Sequence, residues 1–373
     1  MSSTPLLQGL LEQLATRDGA AAAKALRSVP AAQAGAMAVA LADEVPKRAR
    51  VDLVQGGRLA DAAMALARRA RDPIVLARAL RADGHRLALQ ARYRRALGRY
   101  TRASVLFEQH GERLQLAITA SGSLQTLIYV GLYDRALREA ARARTIFRRL
   151  KDRVRLARLE SNVGNIYFRQ DQFAKALASY RRAETALRAL GEHQDVAVAL
   201  RNISVCLTSL NRFDESLATY AEARRYCDAH GLRMLVAEAD YNIAYLHFLC
   251  GDYDRALQAY ATARSEADTL GDKYHRTLCD LDEAEVCLEL NDDAGAARLA
   301  EAAATGFAGL GLRYERAKAV AFLATAQARL GELAGALASY QRSRTLFAAD
   351  GNQPWVAIVD LSRATALFRA GRL

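Results

Sequence analysis

Proline is scarce, with five in 373 residues, and no stretch rich in Gly, Ser or Pro separates one part of the chain from another, so a single continuous domain is expected. The five cysteines, Cys206, Cys227, Cys250, Cys279 and Cys287, are odd in number and contain no C-x-x-C pair. That count argues against a disulfide framework and fits a reducing cytoplasm. Histidine numbers only six. His85, His193, His247 and His275 are scattered with no i, i+4 partner of metal-binding type, so no metal site is expected. Long apolar runs are also missing. The longest, 31–42, is interrupted by Gln33 and too short to span a bilayer, and the N-terminus lacks a basic segment followed by an apolar one. Phosphate-cradling glycine loops and dinucleotide fingerprints are absent, and no cofactor is expected. Aromatics make up only 7% against 51% hydrophobic residues, the balance of helices packed closely through small side chains.

What the chain does have is Ala, Leu and Arg, unevenly charged. The net charge is +12, but residues 1–190 carry 34 Lys and Arg against 16 Asp and Glu, leaving 19 against 25 for 191–373. The basic set Arg142, Arg144, Arg148, Arg149, Lys151, Arg153, Arg155 and Arg158 could face phosphates, though such runs on helices are commonly solvated faces. The acidic set Asp280, Asp282, Glu283, Glu285 and Glu289 keeps helical spacing and lacks the glycine turn of a calcium loop.

A repeat dominates the pattern. Tyr93, Tyr133, Phe173, Phe213, Tyr253 and Leu333 recur at 40 residues or a multiple of it, as do Tyr100, Tyr180, Tyr220, Tyr260 and Tyr340, and Gly111, Gly191, Gly231, Gly271, Gly311 and Gly351. A fixed period of this size is the mark of a solenoid. Within one unit Val163, Gly164, Tyr167, Ala176, Tyr180 and Ala183 stand at the spacing of the tetratricopeptide signature, which they resemble: small residues where two helices cross, large ones where they interlock. The fold implied is all-α, a right-handed α-solenoid of about eight tetratricopeptide-type hairpins with a concave groove, because a lone hairpin leaves an apolar face that stacking buries.

Residues 1–36, with Ser3, Thr4 and Pro5 opening one helix and Pro30 another, read as a divergent N-terminal helical cap. The array then runs over 37–373, with repeats near 37–72, 75–112, 113–152, 153–192, 193–232, 233–272, 273–312 and 313–352, and a partial one over 353–373. That last unit has a first helix from Trp355 to Gly371 and no second, which reads as a cut through a longer array.

The strings at 240–249 (DYNIAYLHFL), 279–291 (CDLDEAEVCLELN), 311–319 (GLRYERAKA) and 351–357 (GNQPWVA) resemble the repeat regions of bacterial CHAT proteins. In those proteins a tetratricopeptide array precedes a caspase-like peptidase domain. The resemblance implies a sensing or regulatory array for an attached or partner CHAT peptidase, a domain this chain does not contain. His110-Gly111 and His230-Gly231 imitate the His-Gly pair of such enzymes, but they share the register of Leu190-Gly191 and Leu270-Gly271 and read as turns. No cysteine stands in a nucleophile context; Cys206, Cys250 and Cys287 read as small packed residues of first helices, and no enzymatic activity is expected of this chain.

The remaining candidate is the groove. Asn162, Asn202 and Asn242, each 40 residues apart, occupy one expected groove-facing register, and a row of amides can hydrogen-bond an extended peptide backbone of any sequence. This row is similar to the asparagine ladders of kinesin-light-chain-like repeats. Arg158, Asn165, Arg201, Tyr241, Tyr245, Phe248, Asp282 and Glu285 are expected beside it, running from basic through aromatic to acidic. The expectation is a protein-interaction scaffold that binds a peptide or protein partner and no membrane. The rival is a helical-repeat protein that binds nucleic acid through its basic half.

Overall fold

The computed structural model describes residues 4–15 and 19–372, and within them the chain is helical throughout, with nineteen α-helices and one 3-10 turn. Of the expected helix start at Ser3, Thr4 and Pro5, Ser3 lies outside the described residues; α1 (Thr4–Ala15) opens at Thr4, and α2 (Gly19–Ser28) follows. Pro30 caps the 3-10 turn Ala31–Gln33, which leads into α3 (Ala34–Val51). Eight antiparallel hairpins are then formed by α3 with α4 (Leu53–Ala70), α5 (Pro73–Leu89) with α6 (Tyr93–Gln109), α7 (Arg113–Tyr129) with α8 (Tyr133–Arg149), α9 (Arg153–Phe168) with α10 (Phe173–Ala189), α11 (His193–Ser209) with α12 (Phe213–Ala229), α13 (Arg233–Leu249) with α14 (Tyr253–Leu270), α15 (Lys273–Glu289) with α16 (Asp293–Leu310), and α17 (Arg313–Arg329) with α18 (Leu333–Ala349). The helix α19 (Gln353–Arg369) stands last. No described helix is long and apolar enough to cross a membrane.

The turns explain the period. Left-handed backbone occurs at residue 71 and at every twentieth residue to 371, alternating between the turn inside a hairpin and the turn between hairpins. At each turn from 92 onward the amide just after the left-handed residue bonds a carbonyl five back, as Leu132 N does to Leu127 O at 2.9 Å and Asp272 N to Ala267 O at 2.8 Å. This is the Schellman closure, which satisfies carbonyls that would otherwise be orphaned. Asp72, Asp152, Asp252, Asp272, Asp292 and Asn352 then cap the next helix through their side chains.

The expected packing follows. Ala96, Ala136, Ala176, Ala256, Ala296 and Ala336 are fully buried where the second helix crosses the first, and Tyr100, Tyr180, Tyr220, Tyr260 and Tyr340, one turn on, are buried too. A methyl added at Gly164 would sit 2.5 Å from Tyr180 Cε1, so a larger residue there would have to displace that ring.

The chain divides into two compact units, Met1–Ala199 and Leu200–Leu373, with the division inside α11. In the first, α5 touches α7 and α7 touches α9; in the second, α13 touches α15, α15 touches α17 and α17 touches α19. Within each unit, first helices of successive hairpins therefore share a side, and a residue on that side of one first helix neighbours its counterparts on the next.

Candidate functional site

In the first unit, Arg158 of α9 is held by two carboxylates, its Nε donating to Asp195 at 2.7 Å and an Nη to Glu192 at 2.8 Å. Asn162 is half-buried, its Nδ2 3.4 Å from Ser121 Oγ on α7, one repeat earlier. Asn165 accepts from Tyr180 OH at 2.6 Å, tying α9 to α10. In the second unit, Arg201 donates to Glu238 at 2.7 Å, joining α11 to α13, and Asn202 is half-buried on α11. Asn242 turns its Nδ2 back on its own helix, to Glu238 O at 2.6 Å. The amides of Asn162 and Asn242 thus each have a partner already, and of those two bonds only that of Asn242 is short.

The aromatic and acidic candidates converge in the second unit. Tyr241 OH on α13 donates to Asp282 Oδ2 on α15 at 2.5 Å. Lys318 Nζ on α17 lies 3.8 Å from Asp282 Oδ1 and bonds Glu285 Oε2 at 3.0 Å, with its ammonium 5.1 Å over the Phe322 ring. Three successive first helices are thereby linked by one chain of polar contacts. Tyr245 stands beside them, exposed, its ring 6.2 Å from that of half-buried Phe248. Met234, Tyr274 and Tyr314, again 40 residues apart, expose apolar side chains at the start of the same helices.

The electrostatics are those of a nearly dry cluster. Asp282 is only 4% exposed, and burial pushes its carboxyl above the ordinary carboxylate range, with Lys318 and the Tyr241 hydroxyl pulling it part of the way back. Burial alone would lower the Lys318 ammonium, but Asp282 and Glu285 outweigh it and lift its pKa. Burial and then Asp282 push the Tyr241 hydroxyl far up, so it remains a donor. Lys318 went unnoticed in the sequence although it shares the register of Arg158, four periods on.

The other half of the acidic set looks away from this cluster. Asp280 and Glu283 bond Arg264 of α14, Asp280 at 3.1 Å, so neighbouring acidic residues of α15 turn to different helices. Of the basic set, Arg142, Arg144, Arg155 and Arg158 each hold a carboxylate. His110 and His230 both close helices before a left-handed glycine. Cys206 and Cys287 are buried in first helices, whereas Cys250 ends α13 and is exposed. Among the described residues no three His, Cys, Asp or Glu side chains group as metal ligands.

Residues 155–229 match the family model of the tetratricopeptide repeat. No curated protein sequence matches the chain closely. Among solved structures, aspartyl phosphate phosphatase F from Bacillus subtilis is similar at TM-score 0.60 and 13% identity, covering 93% of this chain and 94% of that one. The apo quorum sensor NprR from B. thuringiensis is similar at TM-score 0.59 and 14% identity, covering 89% and 94%. A Rap protein complexed with Competence and Sporulation Factor is similar at TM-score 0.53 and 16% identity, covering 92% and 98%. At these identities the likeness is one of fold: stacked tetratricopeptide-like hairpins.

Proposed function

We propose that this chain is a protein-interaction scaffold that binds a peptide or protein segment on the shared side of its first helices. The observation that carries this reading is the cluster of Tyr241, Asp282, Lys318 and Glu285, built from three successive repeats and flanked by exposed Tyr245, Tyr274 and Tyr314. Exposed aromatics beside oriented polar groups are what a peptide anchor needs, because they supply contact area at little entropic cost while the polar groups fix register. Arg158, Asn162 and Asn165 in the first unit, and Arg201, Asn202, Asn242 and Phe248 in the second, are the further contacts of this reading. The similar Rap protein complexed with Competence and Sporulation Factor is a precedent for ligand binding on such a fold.

The resemblance of residues 240–249 and 279–291 to CHAT repeat regions supports a finer version: a cytoplasmic array that senses a partner for, or restrains, a CHAT-type caspase-like peptidase. Nucleic-acid binding is the weaker rival, since half of the basic set is spent on carboxylates.

The test is a dodecapeptide library screened against the wild type, the triple variant Asn162→Ala, Asn202→Ala, Asn242→Ala, and the pair Tyr245→Ala, Tyr274→Ala. Selected peptides should bind the wild type and lose affinity in both variants at unchanged far-ultraviolet circular dichroism. Unaltered binding in both would remove the site, and no peptide selected would remove the function.

A further inference from the structure

Two carboxylates face one ammonium in the cluster on α13, α15 and α17, Asp282 buried and Glu285 half-buried. Asp282 and Glu285 are both served by Lys318, so the cluster carries an uncompensated negative charge where water is scarce. A second, independent observation points the same way. Tyr260, on α14, is completely buried and its hydroxyl has no hydrogen-bond partner. In two sister repeats the equivalent hydroxyl has one fifteen residues earlier, Asn165 for Tyr180 and Thr325 for Tyr340. For Tyr260 that position is Tyr245, which turns outward instead. The Tyr260 ring packs 6.1 Å from that of Tyr241, and its hydroxyl feels the charges of Asp282 and Glu285. A hydroxyl without a partner is therefore left next to the ring of Tyr241, whose own hydroxyl bonds Asp282.

Resting on the scaffold reading above, we infer that this cluster is the specificity pocket for a cationic side chain, arginine or lysine, of the bound segment. A guanidinium offers five donors in a planar fork, which suits several acceptors held around one point. The aromatic faces of Tyr245 and Tyr274 add attraction for a cation as its charge leaves water. An anionic side chain would meet Glu285, the most exposed charged member of the cluster, beside a Lys318 Nζ that is already bonded to it.

Fluorescein-labelled dodecapeptides with randomised flanks and a fixed central Arg, Lys, norleucine or Glu test this by fluorescence polarisation on the full chain. The Arg and Lys sets are expected to bind about tenfold more tightly than the norleucine set, with Glu weakest. Glu285→Gln, a half-buried position, should remove most of that preference. Lys318→Met keeps an unbranched stem of similar length but deletes the competing charge, so it should tighten the Arg set further. A loss of Arg-set binding in Lys318→Met, or equal binding of all four sets, overturns the cationic pocket while leaving the scaffold intact. Failure of every set to bind overturns both.

Discussion

Arg264 on α14 reaches Asp280 on α15 at 3.1 Å, and the two residues are sixteen apart in sequence. The same offset joins Arg144 to Glu160, Arg224 to Asp240 and Arg344 to Asp360, each between the second helix of one hairpin and the first helix of the next. Where α16 meets α17 the two registers hold Ala304 and Val320, both buried. The junction thus has an ionic form and an apolar form. Replacing Arg264 by Met leaves Asp280, 3% exposed, with the more distant Arg276 at 4.0 Å and should cost about 3 kcal/mol in urea unfolding of the intact chain. The double change Arg264→Ala with Asp280→Val copies the apolar junction at these two registers but leaves Glu283 without Arg264, and should recover about half of that loss. A double variant as unstable as the single one would show that the ion pair is worth more than its burial costs.

The period, the buried tyrosines and the glycine turns between hairpins were legible because each puts one residue type at one register: Tyr180 and Gly191 announce themselves again at Tyr220 and Gly231. The turns inside hairpins were not, because the same left-handed position holds Ala91, Gly131, Asp171, Asn211, Gly251 and Asn291 in succession, and backbone geometry rather than side chain is what repeats. The sixteen-residue ion pairs escaped for a related reason: they join two registers that look unremarkable singly. At the candidate site, Tyr241, Asp282 and Glu285 were picked out by charge and aromaticity. Their convergence with Lys318 and Tyr260 depends on which face of α15 meets α17, and spacing alone cannot separate Asp280 from Asp282.

Gly164 gives a steric prediction. With Tyr180 Cε1 2.5 Å from where a methyl would go, Gly164→Ala must displace the ring and strain the α9 and α10 pair, a loss of roughly 1–3 kcal/mol. Tyr180→Phe keeps the ring and removes only the 2.6 Å bond to Asn165, worth about 1 kcal/mol. Thermal unfolding should therefore rank Gly164→Ala at or below Tyr180→Phe. Combining them should not be additive, since both act on one contact.

Ala91 is exposed and sits at φ 57°, a left-handed conformation that costs an L-residue free energy and glycine none. Ala91→Gly should therefore stabilise the chain, by roughly 0.5–1 kcal/mol after the extra freedom of the unfolded glycine is counted. The same change at Ala103, fully buried within α6, should destabilise it. A loss of stability at both positions in chemical denaturation would contradict the turn geometry.

The pH dependence has a definite sign. Burial raises the carboxyls of Asp280, Asp282 and Glu283 in the folded chain. Between the ordinary carboxylate pKa and these raised values the folded state binds more protons than the unfolded one. Stability from these groups is thus greatest on the acid side and falls as pH climbs through that window. Asp272, lowered by its bonds to His275 despite burial, works in the opposite sense. Asp282→Asn removes one raised group and should flatten the decline measured by urea midpoints from mildly acidic to neutral pH. A steeper decline in that variant would refute the assignment.

The cysteines give a prediction about reactivity. The thiolate is the attacking form, so a thiol reacts in proportion to its access and ionisation. Cys206 and Cys279 are buried, and burial lifts both thiols to about 12; Cys287 is likewise buried and lifted to about 11. Cys227 is buried against its helix neighbours and raised for the same reason. Cys250 is the exposed one, at the end of α13, and its thiol is raised mainly by burial of its surroundings with Asp214 and Asp252 adding to it. Native protein at neutral pH should release one equivalent of thionitrobenzoate from Ellman's reagent, slowly for an exposed thiol because those carboxylates disfavour the thiolate. The remaining four should appear only with denaturant. Cys250→Ser should abolish the native equivalent, and rapid reaction of a second thiol would mean that a helix opens far more readily than its buried alanines and closed turns imply.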